Sequence, residues 1–208
     1  MCIRDRAVLA GAVFAGAASL VAWKLGGLDA WIWAGLEALL FVASGVVAAV
    51  LILRHDTGRA LAFGGALAVA AHAVLAAGLA PSLRPLWLSD RAARVLSKAG
   101  INPRDGVAPG PVTVAGYAEP SIVFALGSTT ELGDADDAAS AIGDGRPAIV
   151  EQREEAAFRQ SLAQDDAAAT LVGSVTGLDY SKGQTDILRI YRPAADAVPA
   201  PASQGPAR

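Results

Sequence analysis

Hydrophobic residues are concentrated in three long runs within the first 81 positions, and polar residues interrupt the chain regularly after that. The runs cover about residues 7–23, 31–53 and 60–80. Each approaches the roughly 20 residues that a helix needs to cross the ~30 Å hydrocarbon core of a bilayer. The pattern therefore predicts a transmembrane region at 7–81 with three helices, preceded at 1–6 by a leader that we expect to be artefactual.

The first run has a second interpretation. It is the shortest of the three, and Arg4 and Arg6 precede it, as basic residues do in a secretory signal peptide. Two further spans follow at once, which a cleaved signal peptide would not require. We favour three membrane helices and keep the signal peptide as the alternative.

After residue 81 the apolar segments become short. In some of them the hydrophobic residues recur with the period of a helix, and in others the composition is typical of a strand. Helices are predicted at 88–99, 121–126, 135–142 and 153–163, and strands at 112–118, 128–132, 148–151, 170–175 and 185–191. This alternation predicts a small layered α/β domain at 82–192, mostly parallel, with an antiparallel hairpin at its end. The fold class is thus a membrane α-helical region followed by a small periplasmic α/β domain. A tail at 193–208 has too little apolar content to become ordered.

Three of these helices have recognisable start signals. Pro120 suits the first helical position, and Glu119 before it meets the free N–H groups and the positive end of the helix dipole. Ser89 is a candidate N-cap for the helix at 88–99. The DADD run at 134–137 places acids at the start of the next helix, although carboxylates in that number also suit a hard cation.

Charge along the chain predicts the orientation in the membrane. Basic residues precede the first span and fill the loop at 54–59, whereas all four tryptophans lie at the opposite ends of the spans. Basic loops remain in the cytoplasm, and indole rings favour the membrane interface. We expect a bacterial inner-membrane protein with a cytoplasmic N-terminus and with residues 82–208 in the periplasm.

Composition excludes several classes of function. Residues 82–208 carry 16 acids and 12 bases, so the domain lacks the basic surface that nucleic-acid binding needs. Cys2 is the only cysteine, which excludes a disulfide framework and a cysteine-based zinc site.

Four residues are candidates for substrate binding, two of them inside the spans. Glu37 and His72 are predicted at similar depths on neighbouring helices, and ionisable groups there usually face a partner or a cavity. They either pair or face a common polar pocket; alternatively, Glu37 reaches the interface and His72 caps a carbonyl. In the second half, Glu119 is a helix cap or an acid–base group, and Tyr117 is a half-buried residue or a contact for a sugar or lipid headgroup. No motif for nucleophilic catalysis or phosphate binding is present, and no metal ligand set is assigned.

Two motif-bearing stretches of the second half, and the stretch PAIVEQREEAAF between them, resemble the C-terminal outer domain of bacterial GT-C membrane glycosyltransferases, of the aminoarabinose-transferase and protein-mannosyltransferase kind. The first is VAGYAEPSIVFALGSTTEL, where a GY-x-EPS-x-VF pattern matches Gly116, Tyr117, Glu119, Pro120, Ser121, Val123 and Phe124. The second is VTGLDYSKGQTDILRIYRP, where Gly177, Asp179 and Tyr180 match a GxNY-type hairpin, with Asp in place of Asn.

The resemblance implies a polyprenyl-phosphate-linked sugar as donor and a lipid or protein as acceptor. It also implies catalytic acids, often with a divalent metal, on a long first outer loop. The corresponding loop here, KLGGLDA, has a single acidic residue, Asp29. No catalytic residue and no cofactor are therefore assigned to this chain. We expect a C-terminal fragment, inactive alone, whose partners are membrane lipid and missing N-terminal transmembrane helices. The alternative is a membrane anchor that displays a non-enzymatic binding or scaffold domain.

Overall fold

The computed structural model describes residues 3–107 and 109–194 and divides into two compact units, Met1–Leu86 and Trp87–Arg208. Residues 1 and 2 of the predicted leader and residues 195–208 of the predicted tail lie outside the described residues. Each unit is considered separately below.

The first unit consists of three long helices. They are α1 (Ile3–Leu25), α2 (Leu28–Leu53) and α3 (Thr57–Ser82), and among the described residues these are the helices long and apolar enough to cross a membrane. All three are longer than predicted, and α1 extends back over residues 3–6, which the sequence assigned to the leader. Large apolar side chains along them remain exposed, as expected of helices that contact lipid.

Small residues allow these helices to pack closely. A Cβ atom on Gly11 of α1 would lie 2.7 Å from the carbonyl oxygen of Phe41 in α2. Between α2 and α3, the Ser44 hydroxyl donates a 2.7 Å hydrogen bond to the carbonyl oxygen of Gly64. Close backbone approach and interhelical hydrogen bonds replace the hydrophobic effect as the source of helix association in lipid.

A π-helical turn interrupts α3 at Leu75–Leu79. Within it, Gly78 lies directly under the ring of Trp33, and a Cβ atom there would be 2.3 Å from the indole. Single π turns inside α-helices re-aim the residues that follow them. The glycine is required at this position because no larger side chain fits beneath the tryptophan.

The second unit is an α/β domain, which confirms the predicted fold class. Its elements are α4 (Leu88–Lys98), β1 (Thr113–Ala115), α5 (Pro120–Leu126), β2 (Glu131–Gly133), α6 (Ala135–Gly143), β3 (Ala148–Glu151), α7 (Glu155–Gln164), β4 (Ala169–Asp179) and β5 (Gln184–Pro193). The order of helices and strands is the one that the sequence pattern predicts.

The five strands form one sheet in the order β2-β1-β3-β5-β4. β1 pairs in parallel with β2 and β3, whereas β5 is antiparallel to both of its neighbours, β3 and β4. Side chains alternate between two cores. Ile149 of β3 packs in the core that contains α4 and α5, and Val150 packs in the core that contains α6 and α7. The domain is therefore a three-layer arrangement with helices on both faces of the sheet.

Local details differ from the sequence prediction at several places. Ser89 is not the N-cap of α4; Trp87 occupies that position, and Ser89 is buried within the helix. β1 and β2 are only three residues long: Gly116 adopts a positive φ directly after β1, and Asp134, directly after β2, is already the N-cap of α6. β4 and β5 are longer than predicted, since the hairpin ladder extends through residues that the sequence assigned to a turn.

Candidate functional site

The carboxyl ends of the parallel strands meet at one edge of the sheet. β3 and β4 run in the same direction because both pair antiparallel with β5, and β1 and β2 run with β3. After β1 the chain connects to β2 on one side of the sheet. After the adjacent strand β3 it connects to β4 on the other side. Such a divergence between adjacent strands is a topological switch point, where open α/β sheets bind their ligands. This edge is therefore the first place to search for a site.

Gly116 begins the connection after β1 and lies against the end of β3. Its φ is +81°, and a Cβ atom would be 2.7 Å from Cγ of Glu154 and 3.1 Å from Cβ of Glu151. The left-handed conformation and the close approach both favour glycine. The backbone at the end of β1 thus contacts the Glu151 side chain directly.

Four acidic side chains are buried at this edge. Glu119 follows β1, Glu151 ends β3, Asp179 ends β4 and Asp186 lies near the start of β5; their exposed fractions are 3%, 2%, 1% and 6%. Carboxylates are almost never buried to this extent without partners. We call these four residues the acidic cluster.

Glu119 connects two parts of the domain. It occupies the N-cap position of α5, as predicted, but its side chain makes no capping hydrogen bond. Instead, the backbone N–H of Ser181 in the β4–β5 turn donates a 3.0 Å hydrogen bond to Oε1 of Glu119. The carboxylate therefore ties the start of α5 to the hairpin, and the predicted cap interaction is wrong.

Asp179 organises the β4–β5 turn. Its Oδ1 accepts hydrogen bonds from the Ser181 N–H at 2.9 Å, the Ser181 hydroxyl at 2.6 Å and the Lys182 N–H at 3.0 Å. Burial acts to raise the pKa of the Asp179 carboxyl, but the hydrogen bonds from Ser181 and Lys182 outweigh it and hold the pKa below its ordinary value. The charged form of Asp179 is thus part of the folded turn.

Two basic residues face the acidic cluster. Lys182 Nζ lies 3.4 Å from Asp179 Oδ2, 3.7 Å from Glu151 Oε2 and 4.0 Å from Asp186 Oδ2. Arg153 contacts Oε1 of Glu151 at 2.5 Å and lies 3.9 Å from Oδ2 of Asp186. Three of the four carboxylates therefore share two cations.

Asp186 is the least compensated member of the cluster. Burial raises the pKa of its carboxyl, and the negative charge of Glu151 acts in the same direction. Its buried Oδ2 receives no hydrogen bond, as is also true of Oε2 of Glu119 and Oδ2 of Asp179. The site consequently has acceptor capacity that the protein does not use.

A cavity of about 430 Å³ opens beside this part of the cluster. Its lining includes Glu151, Arg153, Asp186 and Ile187. Pockets of roughly this volume hold small ligands in proteins. Buried carboxylates, incomplete hydrogen bonding and a cavity thus coincide at the switch-point edge.

Tyr117 lies in the core. Its ring is 2% exposed, and its hydroxyl is 3.2 Å from the Ser89 hydroxyl, which in turn is 2.8 Å from that of Ser121. Burial raises the pKa of the Tyr117 hydroxyl above its ordinary value. The structure thus gives Tyr117 a packing role and leaves Tyr180, which is 56% exposed, as the accessible tyrosine of the two motifs.

The two intramembrane candidates lie close together in the first unit. Glu37 is 3% exposed and is near enough to His72 for an electrostatic interaction. The His72 ring packs edge-on against Phe41, and its Nδ1 lies 2.8 Å from the carbonyl oxygen of Ala68 on the preceding turn. Glu37 is therefore packed among the helices rather than extended towards the interface, and His72 makes the backbone contact that the alternative proposed.

The DADD run forms a capping box at the start of α6. The Asp134 carboxylate accepts hydrogen bonds from the N–H groups of Asp136 and Asp137, and the Asp137 carboxylate accepts one from the Asp134 N–H. Within residues 3–107 and 109–194, no group of three His, Cys, Asp or Glu side chains is arranged to hold a metal ion. The run is a helix start.

Sequence reasoning identified half of the acidic cluster and neither of the two basic residues that face it. It singled out Glu119 and Asp179 from the motifs, but not Glu151, Asp186, Arg153 or Lys182. One signal was available: Glu151 ends the apolar strand AIVE, and an acid at the carboxyl end of a buried parallel strand lies where ligands bind.

No protein-family model matches the chain, and no curated protein matches it. Among solved structures, the chain is similar to ArnT from Cupriavidus metallidurans in the apo state. The sequence identity is 15% and the TM-score is 0.44. The match covers 90% of this chain and 36% of ArnT, so the chain spans about a third of the length of that protein.

Proposed function

We propose that this chain is the C-terminal part of a GT-C membrane glycosyltransferase. The whole enzyme would transfer a sugar from a polyprenyl-phosphate donor to a lipid or protein acceptor. Its catalytic acids, and any divalent metal, would belong to an N-terminal part with further transmembrane helices. This chain alone would then be inactive, and its function would be to complete and stabilise the enzyme.

The contact between the two motif stretches carries the proposal. The first stretch contains Glu119 and the second contains Asp179 and Ser181, about 60 residues later, and both carboxylates accept from the Ser181 N–H. The residues by which the sequence resembles the family therefore interact with one another in the folded domain. This contact supports the resemblance to a membrane transferase, whereas the three membrane-length helices fit the transferase and the membrane anchor equally.

We further propose that the protein lies in a bacterial inner membrane with its N-terminus in the cytoplasm and the second unit in the periplasm. The basic loop at 54–59 supports this orientation. Single cysteines test it in a Cys2→Ser background, one at Arg59 in the first turn of α3 and one at Asp165 in the domain. A membrane-impermeant maleimide added to cells with a permeabilised outer membrane should label position 165 and not position 59. The reverse labelling would overturn the orientation.

The transferase proposal is tested in native membranes. An antibody against the α/β domain should detect a polypeptide with a mass much larger than the 21.0 kDa of this chain. When purified, that polypeptide should transfer labelled sugar from a polyprenyl-phosphate donor to lipid or protein. A longer polypeptide without transfer to either class of acceptor would contradict the proposal.

The same experiment addresses the alternative, a membrane-anchored binding or scaffold domain in the periplasm. That function predicts a single species of 21.0 kDa, no sugar transfer and stable association with another periplasmic or membrane component. The open, ligand-sized cavity at the sheet edge is the observation that favours retaining this alternative.

A further inference from the structure

We propose that the cavity at the switch-point edge of the second unit binds a primary ammonium group, with Asp186 and Glu151 as its anionic partners. The inference rests on this unit alone and holds whether or not the whole protein transfers a sugar. It assigns a binding site and a ligand class, an organic cation with N–H donors.

Charge is the first argument. The acidic cluster has four carboxylates, all at least nine-tenths buried, and two basic residues in contact with them. Buried carboxylates are costly without compensating positive charge and hydrogen bonds. The cluster therefore has negative charge that an additional cation would offset.

The spacing of the carboxylates is the second argument. Lys182 Nζ lies 3.4–4.0 Å from oxygens of Asp179, Glu151 and Asp186, so the cluster already surrounds one ammonium. Calcium or magnesium needs oxygens at roughly 2.0–2.6 Å. Among the described residues no three His, Cys, Asp or Glu side chains are arranged to hold such an ion, whereas the cluster already accommodates the ammonium group of Lys182.

Access is the third argument. Asp186 lines the cavity, and its buried Oδ2 lacks a hydrogen bond. The two basic side chains next to it are 57% exposed for Arg153 and 38% exposed for Lys182. Neither is enclosed by the core, so the cavity that Asp186 and Glu151 line is open to an entering ammonium group.

The test uses the full chain in detergent micelles with ¹³C-labelled isoleucine methyl groups. Ile187 lines the cavity and serves as the reporter. Methylammonium chloride should shift the Ile187 signal in a saturable way. Tetramethylammonium chloride, which has no N–H donor, and glycerol, a neutral hydroxyl compound, should not do so at equal concentrations.

Asp186→Asn removes the least compensated carboxylate and should weaken methylammonium binding about tenfold, because the ammonium group loses a hydrogen bond to a charged acceptor. Asp165→Asn is the matched control. It removes the same charge from an exposed residue after α7, at the opposite edge of the sheet, and should leave binding unchanged.

Lys182→Met supplies a second measurement that does not depend on Asp186→Asn. Loss of the internal ammonium makes the cluster more negative, so methylammonium should bind more tightly. The proposal is overturned if methylammonium gives no saturable shift, if tetramethylammonium or glycerol gives the same shift, or if neither the Asp186 nor the Lys182 substitution alters binding.

Discussion

Glu119 and Asp179 accept hydrogen bonds from the same backbone N–H, that of Ser181, at 3.0 and 2.9 Å. One acid begins a helix near the start of the domain, and the other ends a strand near its close. The turn between β4 and β5 is therefore held from both sides by carboxylates. If Glu119 stabilises the hairpin, its replacement should affect the β4–β5 turn; if it caps α5, its replacement should affect the start of that helix.

Glu119→Ala should accelerate hydrogen exchange at the Ser181 amide, because that amide loses one of its two acceptors. The amide of Ile122 in the first turn of α5 should exchange at its original rate, since its acceptor is the backbone carbonyl of Glu119. Amide exchange of the full chain in micelles measures both. Glu119→Gln retains an acceptor oxygen and serves as the control. Faster exchange confined to the start of α5 would show that the side chain caps the helix after all.

Asp179→Asn and Asp186→Asn should have opposite effects on stability at pH 7. The charged form of Asp179 accepts three hydrogen bonds, so its replacement should lower the free energy of unfolding by roughly 2 kcal/mol. The Asp186 carboxyl has a raised pKa, which shows that its charged form is disfavoured in the fold, so asparagine should preserve or increase stability. Denaturant unfolding of the α/β domain within the full chain measures the difference. Equal destabilisation by both substitutions would contradict this assignment.

The same two residues predict the dependence of stability on pH. The folded-state pKa of Asp179 is depressed, so its contribution is present above the unfolded value of about 3.9 and is lost as the pH falls through the folded value. The folded-state pKa of Asp186 is raised, so its contribution is largest below about pH 3.9 and declines as the pH rises through the raised value. Unfolding followed from pH 7 down to pH 2 should show a smaller acid-induced loss in Asp179→Asn than in the wild type. An identical loss would exclude Asp179 as its source.

Gly116→Ala should destabilise the domain by about 1–2 kcal/mol from the left-handed backbone alone, and more because of the contact with Glu154. Gly143, at the end of α6, is the matched control because a Cβ atom there meets nothing within 4 Å. Gly143→Ala should be neutral or stabilising, since alanine is the better helix former. Comparable losses of stability in the two variants would show that the backbone after β1 does not approach Glu151 as closely as described.

Gly11→Ala should weaken the packing of α1 on α2 by about 1–3 kcal/mol, because the added methyl meets the carbonyl oxygen of Phe41. Gly16→Ala on the same helix adds the same group where nothing lies within 4 Å. Thermal unfolding of the helical signal in one detergent compares the two variants. If Gly16→Ala were the more damaging substitution, the contact between α1 and α2 would be wrong.

The order of helices and strands could be predicted from the sequence because it depends on local information. The three apolar membrane segments, the strands rich in β-branched residues and the acidic start of α6 can each be recognised from the spacing of hydrophobic residues or from local composition. Strand length was harder to predict. The VTGLD segment has turn-forming residues, and only its pairing with β5 extends β4 to Asp179.

The site could be predicted only in part, because it depends on which polar residues become buried together. Ser89 satisfies the pattern for an N-cap, yet its hydroxyl is used by Tyr117 from another element. Asp186 has no local signal, since its burial follows from the insertion of β5 beside β3. Contacts between residues distant in sequence determine both roles, and neither local propensity nor spacing encodes them.

β5 is synthesised after every other strand of the described sheet, yet it lies between β3 and β4. During translation β4 therefore emerges from the ribosome with no strand to pair with, and one edge of β3 stays open until residues 184–193 follow. We expect the nascent domain to remain incomplete, and to need protection from aggregation, until this strand inserts. Release of the final hairpin from the ribosome then sets the earliest moment at which the domain can close.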